Sequence, residues 1–209
     1  MTTQNFESIS YVPDNPIIVT AYTVDSHLGN YYQKAVLRLT RSCTKFNLPH
    51  IVFPLIGSKD WIHGCNLKPT VILHALTIFN KPILWLDADA QIFKKLDKFI
   101  NPSFDMALVS GEGNHWLSGT LYCSPKVKTF IENWKHLTAA KQNIADELTL
   151  RDLFYNSRED RPSTELLPLE YNTVIHSETD IKTVTIGHYI REDIAPIRGV
   201  KAVPLNEQL

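Results

Sequence analysis

Two carboxylates separated by one small residue end the most apolar segment of the chain, Pro82-Ile-Leu-Trp-Leu-Asp87-Ala88-Asp89-Ala-Gln-Ile-Phe93. A near-continuous apolar run is what a strand buried on both faces requires, and open α/β sheets bind ligands beyond the carboxyl ends of their strands. Residues i and i+2 leaving a strand can face the same way. Asp87 and Asp89 could then reach one hard divalent cation, or one cation and one sugar hydroxyl. Such a cation can bridge the two phosphates of a nucleoside diphosphate and stabilise the charge that develops as it leaves. The tripeptide alone is weak evidence, since a chain with this many aspartates holds about 0.7 such matches by chance. Its bland counterpart is the capping of the turn that follows.

Three other groups could take part in the same chemistry. Asp146-Glu147 opens a predicted helix, where an acid either accepts a proton from an attacking hydroxyl or caps the first turn. Lys68 precedes Pro69 at another predicted helix start and could neutralise a diphosphate oxygen; the alternative is a solvated lysine. His188 follows Gly187 at the end of a late predicted strand, a place open to a ligating or a structural histidine. The cysteines, Cys43, Cys65 and Cys123, are odd in number and lack C-x-x-C spacing. They fit neither a disulfide framework nor a zinc site and read as reduced, core-packed thiols.

The elements that must position these groups follow from the patterning. Pro16–Tyr22 is β-branched and apolar and reads as a buried strand before the turn Asp25–Gly29. Tyr32, Ala35, Val36, Leu39, Cys43 and Phe46 form one apolar stripe, predicting a helix over Tyr31–Lys45. His50–Leu55 is the next strand, Gly57–Leu67 a loop, Pro69–Phe79 a helix begun by proline, and Pro82–Asp87 the strand carrying the acids. Phe104–Ser110 and Gly119–Cys123 read as strands, and Ser124-Pro125 as an N-cap with proline at the first helical position. The helix after it is striped by Val127, Phe130, Ile131, Trp134 and Leu137. A helix over Ala145–Phe154, a charged loop Asn156–Thr164 and strands near Leu166–Leu169 and Thr183–His188 complete the chain. Alternating strands and helices predict an α/β fold: one domain over 1–209, with a polar lead-in over 1–15.

Of the 209 residues 44% are hydrophobic and 21% charged, and glycine and proline number 8 and 12, which excludes a disordered or fibrous chain. Basic and acidic residues, 21 against 22, leave a formal net charge of −1. No net positive field draws a nucleic acid or an anionic membrane. The polar N-terminus has no apolar h-region, and no run approaches the ~18 apolar residues of a membrane span. These features predict a soluble, cytoplasmic protein with neither a nucleic-acid partner nor a membrane span.

The stretch Lys81–Phe93, with Lys68-Pro69 before it, resembles the core of GT-A-fold glycosyltransferases that use nucleotide-diphosphate sugars. Trp116-Leu-Ser-Gly-Thr-Leu-Tyr122, Phe130…Trp134, Asp146-Glu147-x-x-Leu, Leu167-Pro-Leu-Glu-Tyr-Asn172 and Gly187-His-Tyr189 follow in that family's order, so the resemblance spans about residues 16–190. It implies a GT-A (Rossmann-like) fold, with a mixed, mainly parallel sheet flanked by helices. It implies a divalent metal held by Asp87, Asp89 and His188, with Mn²⁺ preferred over Mg²⁺ because an imidazole joins the oxygens. On the same resemblance the donor, a UDP-sugar, lies against Tyr22, Lys68, the Asp87-Ala88-Asp89 turn, Ser118, Gly119 and His188. Tyr22 would stack on the base. The loop residues His115 and Trp116 adjoin the donor strand, Trp116 either facing a sugar ring or packing in the core. Asp146 or Glu147 would act on the hydroxyl of a glycan acceptor, as base in an inverting transfer or as orienting carboxylate in a retaining one. Two other classes compete: a phosphotransferase of the haloacid-dehalogenase type, and a non-catalytic nucleotide-sugar or glycan-binding module. Gln91 and Ile92, and the mid-chain place of the acids, count against the first; the intact acids count against the second.

Overall fold

The computed structural model describes residues 15–24, 31–55, 61–111, 116–157, 161–175 and 180–189. In chain order the elements are β1 (Ile17–Thr23), α1 (Tyr31–Lys45), β2 (His50–Leu55), α2 (Trp61–Asn66), α3 (Lys68–Phe79), β3 (Ile83–Leu86), β4 (Ala90–Ile92), β5 (Met106–Ser110), β6 (Trp116–Cys123), α4 (Lys128–Ala140), α5 (Asp146–Asn156), β7 (Thr164–Leu167), β8 (Thr173–Val174) and β9 (Ile186–His188). Six strands form the large sheet in the order β2-β1-β3-β6-β5-β7. β2, β1 and β3 are mutually parallel, β6 is antiparallel to both its neighbours, and β5 pairs parallel with β7. The sheet is thus mixed and mainly parallel, as expected.

The pleat explains why the apolar runs are unbroken. Along β3, Ile83 and Trp85 enter a core shared with Val71, Ile72, Ala75 and Leu76 of α3, Ile131 and Trp134 of α4, and Leu150 of α5. Leu84 and Leu86 enter the opposite core, with Leu39 and Cys43 of α1. Successive side chains point to opposite faces, so a strand covered by helices on both sides must be apolar throughout. β1 lies between β2 and β3, and the crevice beyond the carboxyl ends of such a switch in strand order is where open sheets take ligands.

A second sheet, β4-β9-β8, decides the site. β4 and β9 are antiparallel with Ala90 opposite His188, which folds the late histidine back beside Asp89. β4 and β8 are too short to show an alternation, and neither was legible in the sequence. Other differences are local. The expected loop over Gly57–Leu67 contains α2. Ser124 caps a 3₁₀ turn, Pro125–Val127, by accepting from the Lys126 N–H, and α4 starts only at Lys128. The strand expected near Leu166–Leu169 ends at Leu167, with Leu169–Tyr171 forming a 3₁₀ turn. Trp116 is the first residue of β6, not a loop residue. Cys43 and Cys123 are buried free thiols, and burial pushes the Cys43 thiol up to about 12. Cys65 departs from the core-packed expectation: it is half-buried and lines a cleft. No helix among the described residues is long and apolar enough to cross a membrane. The lead-in over residues 1–14, the turn at 25–29 and His115 lie outside the described residues.

Candidate active site

Chain leaving β3 turns at once, the Ala90 N–H donating to the Asp87 carbonyl at 2.9 Å, with Ala88 buried inside the turn. The two carboxylates flanking Ala88 then take different partners. Asp87 Oδ1 accepts from Trp85 Nε1 at 2.7 Å and pairs with Lys68 Nζ at 3.1 Å. Asp89 Oδ1 stands 3.1 Å from His188 Nδ1. Neither carboxylate caps the turn, so the bland reading of the pair does not describe it.

Lys68 is not the solvated lysine that the sequence left open. Only 4% exposed, its ammonium donates to the Ser118 carbonyl at 3.1 Å and the Ser118 hydroxyl at 2.8 Å. It also pairs with Asp146 Oδ2 at 3.0 Å. The Ser118 hydroxyl donates in turn to Asp146 Oδ2 at 2.7 Å, closing a buried network. Burial alone would lower the Lys68 ammonium, but the charges of Asp146 and Asp87 outweigh it and hold the ammonium well above the usual lysine range. Burial alone would likewise raise the Asp87 carboxyl; the Lys68 charge, then His188 and the bonds from Trp85 and Lys68, hold it below the usual carboxylate range. With three ammonium protons facing four acceptors, Lys68 serves as the counter-ion of two acids, not as a free cation awaiting a phosphate.

Asp146 is likewise not a helix cap. The N-cap of α5 is Ala145, with no side-chain bond, and Asp146 is buried at the first helical position. Its carbonyl accepts from Trp134 Nε1 at 3.1 Å, which ties α5 to α4. Ser118 and Gly119 stand on β6, next to β3, and Gly119 is required by what surrounds it. A Cβ there would meet Asn172 Oδ1 at 2.7 Å, His188 Cε1 at 3.0 Å and Asp87 Oδ2 at 3.3 Å.

These groups line one cleft, with about 650 Å³ of space including the part open to solvent. Among the described residues Asp87, Asp89, Asp146 and Glu147 all line it, against one ammonium, Lys68, and one imidazole, His188. Among the described residues no three His, Cys, Asp or Glu side chains form a closed metal cluster. The donors present nevertheless suit a cation carried in by phosphates, a mode that uses one or two carboxylates plus substrate oxygens. Thr120 spends its only hydroxyl proton on the Tyr171 carbonyl at 2.6 Å, so the 3.3 Å contact with His188 Nε2 is donated by the ring. His188 Nδ1 stands 3.1 Å from Asp89 Oδ1, donating to it when the ring carries both protons and otherwise presenting a nitrogen and an oxygen side by side, a pair suited to a divalent cation.

Two candidates lie elsewhere. Trp116 packs on Phe154 and Tyr155, ring centroids 4.5 Å and 5.8 Å away, so the core reading holds for it and the sugar-facing one does not. Tyr22 sits on β1 opposite Pro54 and is not among the residues lining the cleft.

No protein-family model and no curated protein matches the sequence. Solved structures do match the fold. A glycosyltransferase involved in glycosylation of the major capsid of PBCV-1 superposes with a TM-score of 0.66 at 13% identity, over 83% of this chain and 92% of that one. The glycosyltransferase GlyE of Streptococcus pneumoniae TIGR4 superposes with TM-scores of 0.58 in its apo form and 0.54 in a second structure, at 17% identity. The match covers 86% of this chain and about half of GlyE, 55% and 56% in the two structures.

The chain has the fold of a GT-A glycosyltransferase.

On this glycosyltransferase fold the cleft also takes in Tyr31, Tyr32, Trp61, Cys65 and Asn172, which sequence reasoning did not assign to a site. Tyr32 reads in sequence as part of the core stripe of α1, yet it is only half-buried and lies at the first turn, where the helix emerges beside the cleft. The asparagine at 172, following a buried tyrosine, carried no chemical signal until the fold brought it to Gly119.

Proposed function

We propose that the chain transfers a sugar from a nucleotide-diphosphate donor, a UDP-sugar, to the hydroxyl of a glycan in a reaction that depends on a divalent cation. The observation that carries this reading is the Asp89–His188 pair beside Asp87, at the carboxyl end of β3 in an acidic cleft of a glycosyltransferase fold. Asp87, Asp89 and His188 would hold the cation. Mn²⁺ suits this mixed oxygen and imidazole set better than Mg²⁺. When bound, the cation supplies charge neutralisation for the departing diphosphate.

The chain's own residues do the rest. Lys68, locked between Asp87 and Asp146, keeps Asp87 ionised with Oδ2 toward Gly119, and Gly119 leaves the room in which Asp87, His188 and Asn172 converge. Asp146 commits Oδ2 to Lys68 and Ser118, so protonating it would strip a buried ammonium of one of its acids. Glu147 lines the cleft one residue along and is less buried. We assign it the proton of the acceptor hydroxyl in an inverting transfer, while Asp146 positions Lys68 and β6. Titration calorimetry with UDP-sugars, with and without Mn²⁺, together with assay of Mn²⁺-dependent donor hydrolysis, tests the reading. Binding that is indifferent to the cation would overturn it. Binding without turnover on any acceptor would favour a non-catalytic binding module instead.

A further inference from the structure

Asn172 is 9% exposed, and its Oδ1 is buried with no hydrogen-bond partner. Buried acceptors in folded proteins are almost always paired, so an orphan at the wall of a ligand cleft calls for a donor that the chain itself does not supply. The backbone that carries it is anchored: the Asn172 main-chain N–H donates to the Leu169 carbonyl at 2.8 Å, and the preceding Tyr171 is fixed by the Thr120 hydroxyl and by an edge contact with Phe99. Oδ1 comes to 2.7 Å from the point that a Gly119 Cβ would occupy, where Asp87 Oδ2 and the His188 ring also converge.

We infer that Asn172 Oδ1 accepts a hydrogen bond from a hydroxyl of the transferred sugar and so helps to select it. This rests on the donor reading above and deepens it. An amide oxygen can only accept, and an ionised diphosphate has no proton to offer, so the diphosphate is not its partner. The base is separated from the cation-binding end by the ribose and both phosphates. The group joined directly to the phosphates on the other side is the sugar ring, which carries several hydroxyls. A neutral acceptor there recognises a hydroxyl without adding to the negative charge that the diphosphate must already meet.

The test compares two ligands on each protein. In Mn²⁺, affinities for UDP and for UDP-glucose, UDP-galactose and UDP-N-acetylglucosamine are measured on the wild-type protein, Asn172→Ala and Asn172→Asp. For the sugar that the wild-type protein favours, Asn172→Ala should weaken the UDP-sugar about three- to tenfold more than UDP. Asn172→Asp keeps an acceptor oxygen and should restore that ratio, even though its added charge weakens both ligands. On the wild-type protein alone, a series of that donor lacking one sugar hydroxyl at a time must contain a member that loses the same factor, a measurement that needs no variant to fold. Equal loss of UDP and UDP-sugar in Asn172→Ala, or a deoxy series with no weakened member, overturns the inference while leaving the donor reading intact. If neither UDP nor any UDP-sugar binds the wild-type protein, the donor reading itself fails and this inference falls with it.

Discussion

His188 Nδ1 and Asp89 Oδ1 stand 3.1 Å apart although the two residues are 99 positions apart in the chain. The pairing of β4 with β9 is responsible: Ala90 lies opposite His188, and the Tyr189 N–H donates to the Asp89 carbonyl at 3.1 Å. The Asp89 carbonyl also accepts from Arg38 at 3.0 Å, so α1 braces the same turn.

Removing either member of that pair should remove the dependence of donor binding on the cation. Asp89→Ala and His188→Ala are each expected to lose roughly tenfold or more in Mn²⁺-dependent affinity for UDP, the scale of losing a metal contact or its orienting partner. Calorimetry with and without Mn²⁺ reads this directly. Wild-type affinity in both variants would remove these residues from the cation site.

Glu147→Gln should lower turnover by about 10²–10⁴-fold with donor affinity kept, as expected for loss of a general base. Asp146→Asn should instead lower the melting temperature, because it leaves Lys68 short of a buried partner. Turnover, donor affinity and melting measured on both variants separate the roles. Loss of turnover confined to Asp146→Asn would move the base by one residue.

Gly119→Ala should abolish donor binding out of proportion to its effect on stability. The new methyl would lie 2.7 Å from Asn172 Oδ1 and 3.3 Å from Asp87 Oδ2, inside the space shared by the acid, the histidine and the amide. A variant that melts near the wild-type temperature and still binds UDP with wild-type affinity would contradict this account of the glycine.

The Lys68 network predicts a pH signature. Asp87 is held below the usual carboxylate range, so it contributes stability that is present above about pH 4 and lost as pH falls through its lowered value. Lys68 is raised, so its contribution is full below about pH 10 and is lost only in strong alkali. Lys68→Met leaves Asp87 and Asp146 without their cation and should cost about 3–5 kcal/mol near neutrality, the scale of breaking a buried pair. Protonation relieves the orphaned Asp87 carboxylate, so the gap in melting temperature between variant and wild type should narrow as pH falls below about 5. A gap that is constant from pH 8 to pH 4 would show that the network is not ionised as described.

The sequence by itself determined the scaffold and the acids. Its unbroken apolar runs at β1 and β3, and the apolar stripe of α1, mark elements whose faces must be covered; these local periodicities survive in any tertiary context that buries them. The place of Asp87 and Asp89 follows, because chain leaving a buried strand reaches the sheet edge where ligands bind. Tertiary structure alone decided what those acids meet. His188 reaches Asp89 because the late strand, legible in the sequence, pairs with β4, whose three residues are too few to carry a pattern. Lys68 became a buried counter-ion and Asp146 its partner because α3 and α5 converge on β6, and an isolated lysine or aspartate reads the same in sequence whether solvated or buried. The same limit hid Asn172 and left the reading of Trp116 open. For a single polar side chain, burial, orientation and partner are set by contacts between distant segments, and local spacing carries no information about them.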